Sequence, residues 1–262
     1  MLYVKALPGG AHMRIKFSES YYYIRLLSLK AELAAIPNVK VGTHCGRTVV
    51  RKYTFNSDGG RSFKTYLLDS AQGQKYGKLA DRRAEIKREI KSIESSLGKY
   101  FIEKMGNCRV KLTGSYLNED LWKSVGNDEN PKIKQGNYFH NGIRMRSRAE
   151  VLVAQILDSL GLDYKYEPRI HFGEYDFYPD FLVYLPGLKR CLIIEFFGMS
   201  DSEKYNYDLV GKLTVYSEHN LLLNRDVIGI SGNKDSMTAS DMIHNNIVLV
   251  INLLASEALV YN

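Results

Sequence analysis

Two carboxylates at matching ends of neighbouring apolar runs are the residues of this sequence best placed to do chemistry. Asp180 opens one run, Glu195 closes the next, and a Pro-Gly pair between the runs predicts a tight turn. With the turn centred between Gly187 and Leu188, an antiparallel hairpin places Asp180 directly opposite Glu195. Two facing carboxylates repel each other, and burying them unpaired is costly. We therefore expect a cation between them; a pair of solvated acids at the strand ends is the alternative.

Glu150 is the third acid expected at this site. It shares a predicted helix face with Ala154 and Leu157, which form the apolar side that should meet the sheet. A buried glutamate there is explained as a further metal ligand or as a group that orients water. The alternative is a capping box with Ser147, three residues earlier. Oxygen ligands of this kind suit Mg²⁺ or Mn²⁺.

Lys212 is the basic residue expected to join the acids. Together with Tyr205, Leu209 and Tyr216 it forms one stripe of the helix predicted after Glu195. A lysine on an apolar face needs an anionic partner, and the acid pair is the nearest candidate. The alternative is that its stem lies along the apolar face while the amine reaches solvent at the helix edge.

The C-terminal part, residues 141–262, predicts an α/β domain built around one mixed sheet flanked by helices. Its apolar runs and turn signals follow the order helix–strand–strand–strand–helix–strand–helix. The predicted elements are a helix over 147–160, strands over 164–170, 178–184 and 190–197, a helix over 203–219, a strand over 226–230 and a helix over 239–256.

Residues 1–110 predict a basic N-terminal α+β region with a long helix. A helix is expected over 18–33, and a hairpin over strands 48–55 and 62–68 with a turn at 56–60. The segment 77–105 is the longest helical pattern, and its apolar seam has heptad spacing. The seam predicts packing on its own domain or, alternatively, a homodimer through the 79–100 helix. The seam residues are Leu79, Ile86, Ile90, Ile93, Leu97 and Tyr100.

Charge is divided unevenly along the chain. Residues 1–111 contain 22 Lys/Arg against 9 Asp/Glu, whereas residues 112–262 contain 14 against 20. A basic block suits a polyanion such as DNA or RNA, because each neutralised phosphate releases counterions. A solvated surface is the alternative. The arginines and lysine expected to contact nucleic acid are Arg51, Lys52, Arg144, Arg146 and Arg148.

Residues 111–140 are rich in Gly, Asn and Lys and predict a polar linker, with an exposed loop over 126–136. No apolar run reaches the roughly 20 residues that a membrane span needs. The three cysteines are scattered and match neither a disulfide framework nor a zinc spacing, and the histidines are equally dispersed. We therefore expect a cytoplasmic protein without a membrane partner. No Gly-rich phosphate loop is present, which argues against nucleotide hydrolysis.

These residues resemble the PD-(D/E)xK nuclease superfamily. The pattern is a helix with an acid, a Pro-Asp strand, a strand with acid-x-Lys and a further helix, and here it is carried by Glu150, Pro179-Asp180, Glu195 and the helix with Lys212. The resemblance covers about residues 146–230 and looks like a branch found in phage and mobile-element nucleases. One position departs from the pattern, because Phe197 stands where the lysine is expected. In some branches the lysine lies in the following helix, where Lys212 is found.

The resemblance implies a restriction-endonuclease-like core and Mg²⁺- or Mn²⁺-dependent hydrolysis of phosphodiester bonds, with DNA as the partner. Asp180 and Glu195 would hold the metal, Glu150 would act directly or through water, and Lys212 would orient water or stabilise developing charge. Arg144, Arg146 and Arg148, at the start of the helix with Glu150, would contact the DNA backbone. The alternative function is a catalytically degenerate nuclease fold that binds nucleic acid or a protein partner.

Overall fold

The computed structural model describes residues 14–55, 60–112, 114–132, 137–173, 175–198, 203–232 and 240–261. Side chains are described throughout these ranges except at 198, 203–209, 231, 232 and 261. Most of the predicted turn at 56–60, part of the loop at 126–136 and the side chains of Tyr205 and Leu209 lie outside this description.

The chain forms two compact units. The smaller unit contains residues 22–109, and the larger unit contains residues 14–21 together with 110–260. The first elements, in chain order, are α1 (Glu19–Ala35), β1 (Val39–His44), β2 (Arg47–Phe55), β3 (Arg61–Leu67), α2 (Ala71–Leu97) and α3 (Lys99–Met105).

An antiparallel three-stranded sheet in the order β1–β2–β3 is the base of the smaller unit. The predicted hairpin is confirmed as β2 and β3, whereas β1 was not predicted. Cys45 and Gly46 join β1 to β2 with φ angles of 47° and 75°, the backbone of a tight two-residue hairpin turn. Because β1 has alternating Val and polar residues only over a short stretch, its signal was weak in the sequence.

The long helix α2 packs within its own unit. Ser70 caps its first turn by accepting a hydrogen bond from the amide of Gly73. A Cβ at Gly73 would lie 1.8 Å from the Leu67 carbonyl oxygen, so only glycine permits this approach to the end of β3. The predicted helix over 77–105 is interrupted at Gly98, whose φ of 74° ends α2 before α3 begins.

The apolar seam of α2 is partly buried within its own unit, as the interpretation of packing on its own domain predicts. Ile86, Ile93 and Leu97 are buried, whereas Tyr100, the last residue of the predicted seam, lies in α3 and is 80% exposed. Ion pairs between α1 and α2 flank the buried seam. They join Arg25 to Glu89 and Arg82 to Glu32 at 2.7 Å, and Lys30 to Glu94 at 2.8 Å.

The remaining elements include a mixed four-stranded sheet, which places the chain in the α/β class. In chain order these elements are β4 (Cys108–Val110), α4 (Glu119–Ser124), β5 (Tyr138–His140), β6 (Ile143–Met145), α5 (Arg148–Ser159), β7 (Asp163–Tyr166), β8 (Ile170–Phe172), β9 (Tyr175–Phe177), β10 (Phe181–Leu185), β11 (Arg190–Gly198), α6 (Glu203–Glu218), β12 (Val227–Gly232), α7 (Ser240–Ala258) and β13 (Leu259–Tyr261).

The four-stranded sheet has the order β12–β11–β10–β7, with β11 parallel to β12 and the other pairs antiparallel. Both of its central strands are almost fully buried, as expected for a sheet covered on its two faces. On one face Leu182, Ile193 and Tyr216 belong to a single apolar cluster that includes residues of α4 and α6. On the other face Tyr166 packs against Phe181 with ring centroids 5.4 Å apart.

The predicted strand over 164–170 stops early. Glu167 adopts a positive φ of 42° and Pro168 follows it, so the chain leaves the sheet after Tyr166. A separate hairpin of β8 and β9 then precedes β10. The predicted helices around residues 147–160, 203–219 and 239–256 are confirmed as α5, α6 and α7, and the strand at 226–230 is confirmed as β12.

The middle of the segment predicted as a linker, residues 111–140, packs on the four-stranded sheet. Leu117 is fully buried, and its carbonyl accepts a hydrogen bond from the amide of Cys191 at 2.8 Å. Trp122 of α4 stacks on Tyr184 with ring centroids 5.3 Å apart. This segment is mostly polar and has few apolar residues, but those few pack on the sheet. Within the part of the chain that the structure describes, no helix is long and apolar enough to cross a bilayer.

Candidate active site

The hairpin of β10 and β11 has the register that the sequence predicts. Phe181 pairs with Ile194, so the next position places Asp180 opposite Glu195. The amide of Phe196 donates a hydrogen bond to Asp180 Oδ2 at 2.7 Å, which fixes the carboxylate at the end of β11. The turn is a short 3-10 segment, Pro186–Leu188, followed by Lys189 in the left-handed region with a φ of 47°.

Glu195 is completely buried and is held by two side chains of α6. Lys212 Nζ lies 2.5 Å from Glu195 Oε2, and the Tyr216 hydroxyl donates to Oε1 at 2.6 Å. Burial, with the negative charge of Asp180 as a smaller cause, raises the pKa of Glu195 to about 8, although Lys212 acts to lower it. Burial therefore favours the neutral form of Glu195 although Lys212 lies beside it.

Lys212 reaches the acids as predicted. Its side chain is 35% exposed, and the ammonium lies 5.8 Å from the centre of the Phe177 ring. Tyr216 follows one helical turn later and was predicted only as part of the same stripe. Its role as a donor to Glu195 was missed, although the spacing of four residues from Lys212 was the available signal.

Glu150 is buried and approaches from the other face of the sheet. Its Oε2 accepts hydrogen bonds from the Tyr166 hydroxyl at 2.7 Å and from the Arg146 amide at 2.8 Å. Ser147 Oγ accepts a hydrogen bond from the Glu150 amide at 3.2 Å. The cap by Ser147, which was the alternative explanation for Glu150, is therefore present as well. Burial raises the pKa of Glu150, and the charge of Asp180 raises it further.

The three acids do not form one three-ligand cluster. Tyr166, which holds Glu150, pairs with Phe181 and points away from the face that carries Glu195. Among the described residues, no three His, Cys, Asp or Glu side chains lie close enough together to hold a metal ion. Glu150 was expected to act on the metal directly or through water, and its approach from the other face suits the route through water.

A two-carboxylate site remains chemically suited to a hard cation. Mg²⁺ commonly binds through one or two carboxylates and keeps several waters. Asp180 and Glu195 supply such a pair, and a bound cation would favour the charged form of Glu195, whose pKa burial raises. The donor set thus fits Mg²⁺ or Mn²⁺ held by Asp180 and Glu195.

Phe197 occupies the position at which the resembling family carries a lysine. Its ring lies over Gly229 of the neighbouring strand β12, since a Cβ added at Gly229 would be 2.4 Å from Phe197 Cε2. A side chain at position 229 would require this ring to move. The ring thus lies beside the residue that pairs with Glu195, and among the described side chains the lysine that contacts Glu195 comes from α6.

The three arginines near the start of α5 have different environments. Arg146 forms an ion pair at 2.8 Å with Glu167, a residue that is 2% exposed, and its predicted contact with phosphate stays a prediction. Arg144 and Arg148 are exposed, and the guanidinium of Arg148 lies 6.0 Å from the centre of the Tyr138 ring. Glu167 was missed because its burial depends on the bend of the chain after β7.

In the smaller unit, Arg51 and Lys52 lie on opposite faces of the sheet because side chains alternate along β2. Lys52 donates a hydrogen bond to the Tyr76 hydroxyl of α2 at 3.3 Å, on the face that α2 covers. Its predicted contact with nucleic acid stays a prediction. Arg51 lies on the other face, where its guanidinium is 5.8 Å from the centre of the Phe63 ring.

Comparison with known proteins adds no family to these observations. The chain matches no family model, no curated protein and no solved structure.

Proposed function

We propose that this protein is a nuclease that hydrolyses phosphodiester bonds of DNA with Mg²⁺ or Mn²⁺, and that the larger unit is a restriction-endonuclease-like core of the PD-(D/E)xK superfamily. The observation that carries the proposal is the hairpin register, which brings Asp180 opposite Glu195 with Lys212 at the same carboxylate. This combination of two acids and a lysine at a strand end is the constellation of that superfamily, with the lysine supplied by α6.

Asp180 and Glu195 are the residues that would hold the ion, and Glu150 would act on it through water from the opposite face. When bound, the ion would supply a water of lowered pKa and would neutralise negative charge that grows on the phosphate. The chain fixes its two carboxylates beforehand, since the Phe196 amide holds Asp180 and the Tyr216 hydroxyl holds Glu195. Such preorganisation reduces the rearrangement needed when substrate binds.

Lys212 provides the positive charge beside the scissile phosphate. Its ammonium already lies 2.5 Å from Glu195 Oε2, and its partial exposure leaves a route toward a substrate. An ammonium at this position would orient the attacking water or stabilise the phosphate oxygens in the transition state. Arg144 and Arg148, which are both exposed near α5, would contact the DNA backbone.

A catalytically degenerate binding protein is the second candidate function. Phe197 fills the position of the expected lysine, and both oxygens of Glu195 accept hydrogen bonds from side chains of α6. These contacts favour a closed acid site that would need to rearrange before a metal could bind. The two candidates differ in whether cleavage occurs.

The first prediction is metal-dependent cleavage by the full-length protein. We expect nicking of supercoiled plasmid DNA with Mg²⁺ or Mn²⁺ and none with EDTA. Asp180→Asn and Glu195→Gln should each lower the rate by about a hundredfold or more, as expected for groups that organise transition-state charge. Gel electrophoresis of plasmid forms measures the rate, and circular dichroism checks that the variants fold.

Asp120→Asn is the matched control, because Asp120 is an exposed aspartate of the same unit and its removal should leave cleavage unchanged. Lys212→Ala with full activity would refute the role of this lysine. Absence of cleavage with plasmid, single-stranded and duplex substrates in either metal, together with retained DNA binding, would favour the degenerate binding protein.

A further inference from the structure

The three strands of the smaller unit carry an unusual charge composition. β1, β2 and β3 together contain six Lys/Arg and no Asp or Glu. One face of this sheet is covered by α2, since Val50 lies 4.0 Å from the Cβ position of Gly77 and Tyr66 packs on Tyr76. The other face therefore presents its basic residues without acidic neighbours from the same strands.

Four side chains form a ladder across that open face. Arg51, Tyr53, Phe63 and Arg61 lie on the same side, because Tyr53 pairs with Phe63 across β2 and β3 and side chains alternate along each strand. The Tyr53 and Phe63 ring centroids are 5.7 Å apart. The guanidinium of Arg61 lies 4.0 Å from the Tyr53 ring centre, and that of Arg51 lies 5.8 Å from the Phe63 ring centre. We call this surface the arginine–aromatic ladder.

The ladder is accessible over much of its area. Phe63 is 56% exposed, and Phe55, which pairs with Arg61 on the same face, is 62% exposed. The exposed portion lies toward the β2–β3 connection, because Val49, further along the same face, is buried. Exposed apolar side chains that cluster on one face commonly mark a binding surface.

The chemistry of this surface matches one kind of ligand. Aromatic rings on a flat sheet accept nucleobases by stacking, and guanidinium groups pair with backbone phosphates. The bases of a duplex are already stacked on one another and hidden, so their faces cannot contact Tyr53 or Phe63. An unpaired strand offers base faces and phosphates at the same time.

We propose that the arginine–aromatic ladder binds single-stranded nucleic acid, with bases stacked on Tyr53 and Phe63 and phosphates held by Arg51 and Arg61. The site lies in the smaller unit, and its function is distinct from cleavage at the acid pair. It gives the protein a preference for unpaired strands or for junctions at which a single strand leaves a duplex.

The test is the affinity of the full-length protein for fluorescein-labelled oligonucleotides in EDTA, which prevents metal-dependent cleavage. Unstructured oligo-dT and oligo-rU of equal length are compared with a blunt duplex by fluorescence anisotropy over a range of NaCl concentrations. We expect tighter binding of a single strand than of the duplex, and the dT and rU arms show which sugar is preferred. Because binding is measured without cleavage, its outcome is separate from that of the nuclease test.

Stacking and charge contacts respond differently to salt. Phe63→Ala should weaken binding about tenfold, as expected for loss of one stacked base, while the slope of log affinity against log salt is unchanged. Arg61→Gln should lower that slope by about 0.7, the value for one phosphate of a single strand. Phe63→Trp preserves a stacking surface and should retain affinity, which separates lost stacking from a folding defect.

Two control variants make the result specific to this face. Tyr100→Ala removes an exposed aromatic of α3, and Lys64→Gln removes an exposed lysine from the opposite face of β3. The proposal is overturned if the Tyr100 variant weakens binding as much as the Phe63 variant. It is equally overturned if the duplex binds as tightly as the single strands, or if the ladder variants bind like the wild type.

Discussion

At the scale of single residues, the acid site is defined by burial, which raises the pKa of Glu195 and of Glu150. Lys212 contacts Glu195, but Asp180 lies near enough to raise the pKa of both Glu195 and Glu150. Buried carboxylates without a counter-charge favour their protonated forms. A site with protonated buried carboxylates suits a cationic ligand, which would supply the positive charge that their ionised forms need.

The burial of Glu195 predicts a pH-dependent stability in the absence of metal. Its pKa of about 8 in the folded chain exceeds the ordinary value of 4.5, so the folded state keeps a proton that the unfolded state has lost. This contribution is fully present below pH 4.5 and is lost as the pH rises toward 8. The free energy of unfolding should therefore fall with pH in this window, by up to about 1.4 kcal/mol per pH unit for one proton.

Urea unfolding in EDTA at pH 5, 6, 7 and 8 measures this slope. Glu195→Gln should flatten it, whereas Glu257→Gln, at an exposed position of α7, should not. Added Mg²⁺ should also flatten the slope, because a cation favours the charged carboxylate. An identical slope in the Glu195 variant would contradict the proposed titration of this buried group.

At the scale of elements, local signals account for the parts of the site that were predicted. The turn after β10 and the alternation of the flanking strands determined the register that pairs Asp180 with Glu195. The heptad-like stripe of α6 brought Lys212 to the sheet. In contrast, the early end of β7 depends on Glu167 and Pro168, and a positive φ at a glutamate has no reliable local signal.

The N-terminal cap of α5 predicts a measurable contribution to stability. Ser147 Oγ accepts from the Glu150 amide, so Ser147→Ala should lower the free energy of unfolding by about 1 kcal/mol, the usual effect of losing a cap. Ser147→Asp should restore most of it, because an aspartate can accept the same bond. Chemical denaturation compares the three proteins.

Ser159→Ala is the matched control at the other end of α5. Its hydroxyl donates to the Ile156 carbonyl and satisfies no amide at the helix start, so its removal should have the smaller effect. If the two alanine variants lost equal stability, the capping bond of Ser147 would not be the source of its contribution.

At the scale of the whole molecule, the seam of α2 distinguishes an intramolecular core from a dimer interface. Ile86 is fully buried within the smaller unit. Ile86→Ala should lower the free energy of unfolding by about 2–5 kcal/mol, because it leaves a cavity. Tyr100→Ala, at an exposed position of the predicted seam, should change stability by less than about 0.5 kcal/mol.

The same seam predicts how the unfolding temperature depends on concentration. An intramolecular core gives a midpoint that is independent of protein concentration, whereas a dimer interface raises the midpoint as concentration increases. Calorimetry over a hundredfold concentration range makes this comparison. A midpoint that rises with concentration and loses this dependence in the Ile86 variant would support the dimer instead.

The sequence alone was sufficient for the α/β class, for the helices α5, α6 and α7 and the four strands of the mixed sheet, and for the pairing of Asp180 with Glu195. Each of these depends on side-chain periodicity or turn chemistry within about twenty neighbouring residues. The tertiary structure alone decided that Glu150 approaches from the opposite face, that Tyr216 holds Glu195, that Arg146 pairs with Glu167 and that Lys52 lies beneath α2. These contacts join residues from separate elements, and their geometry depends on how whole helices and strands pack together.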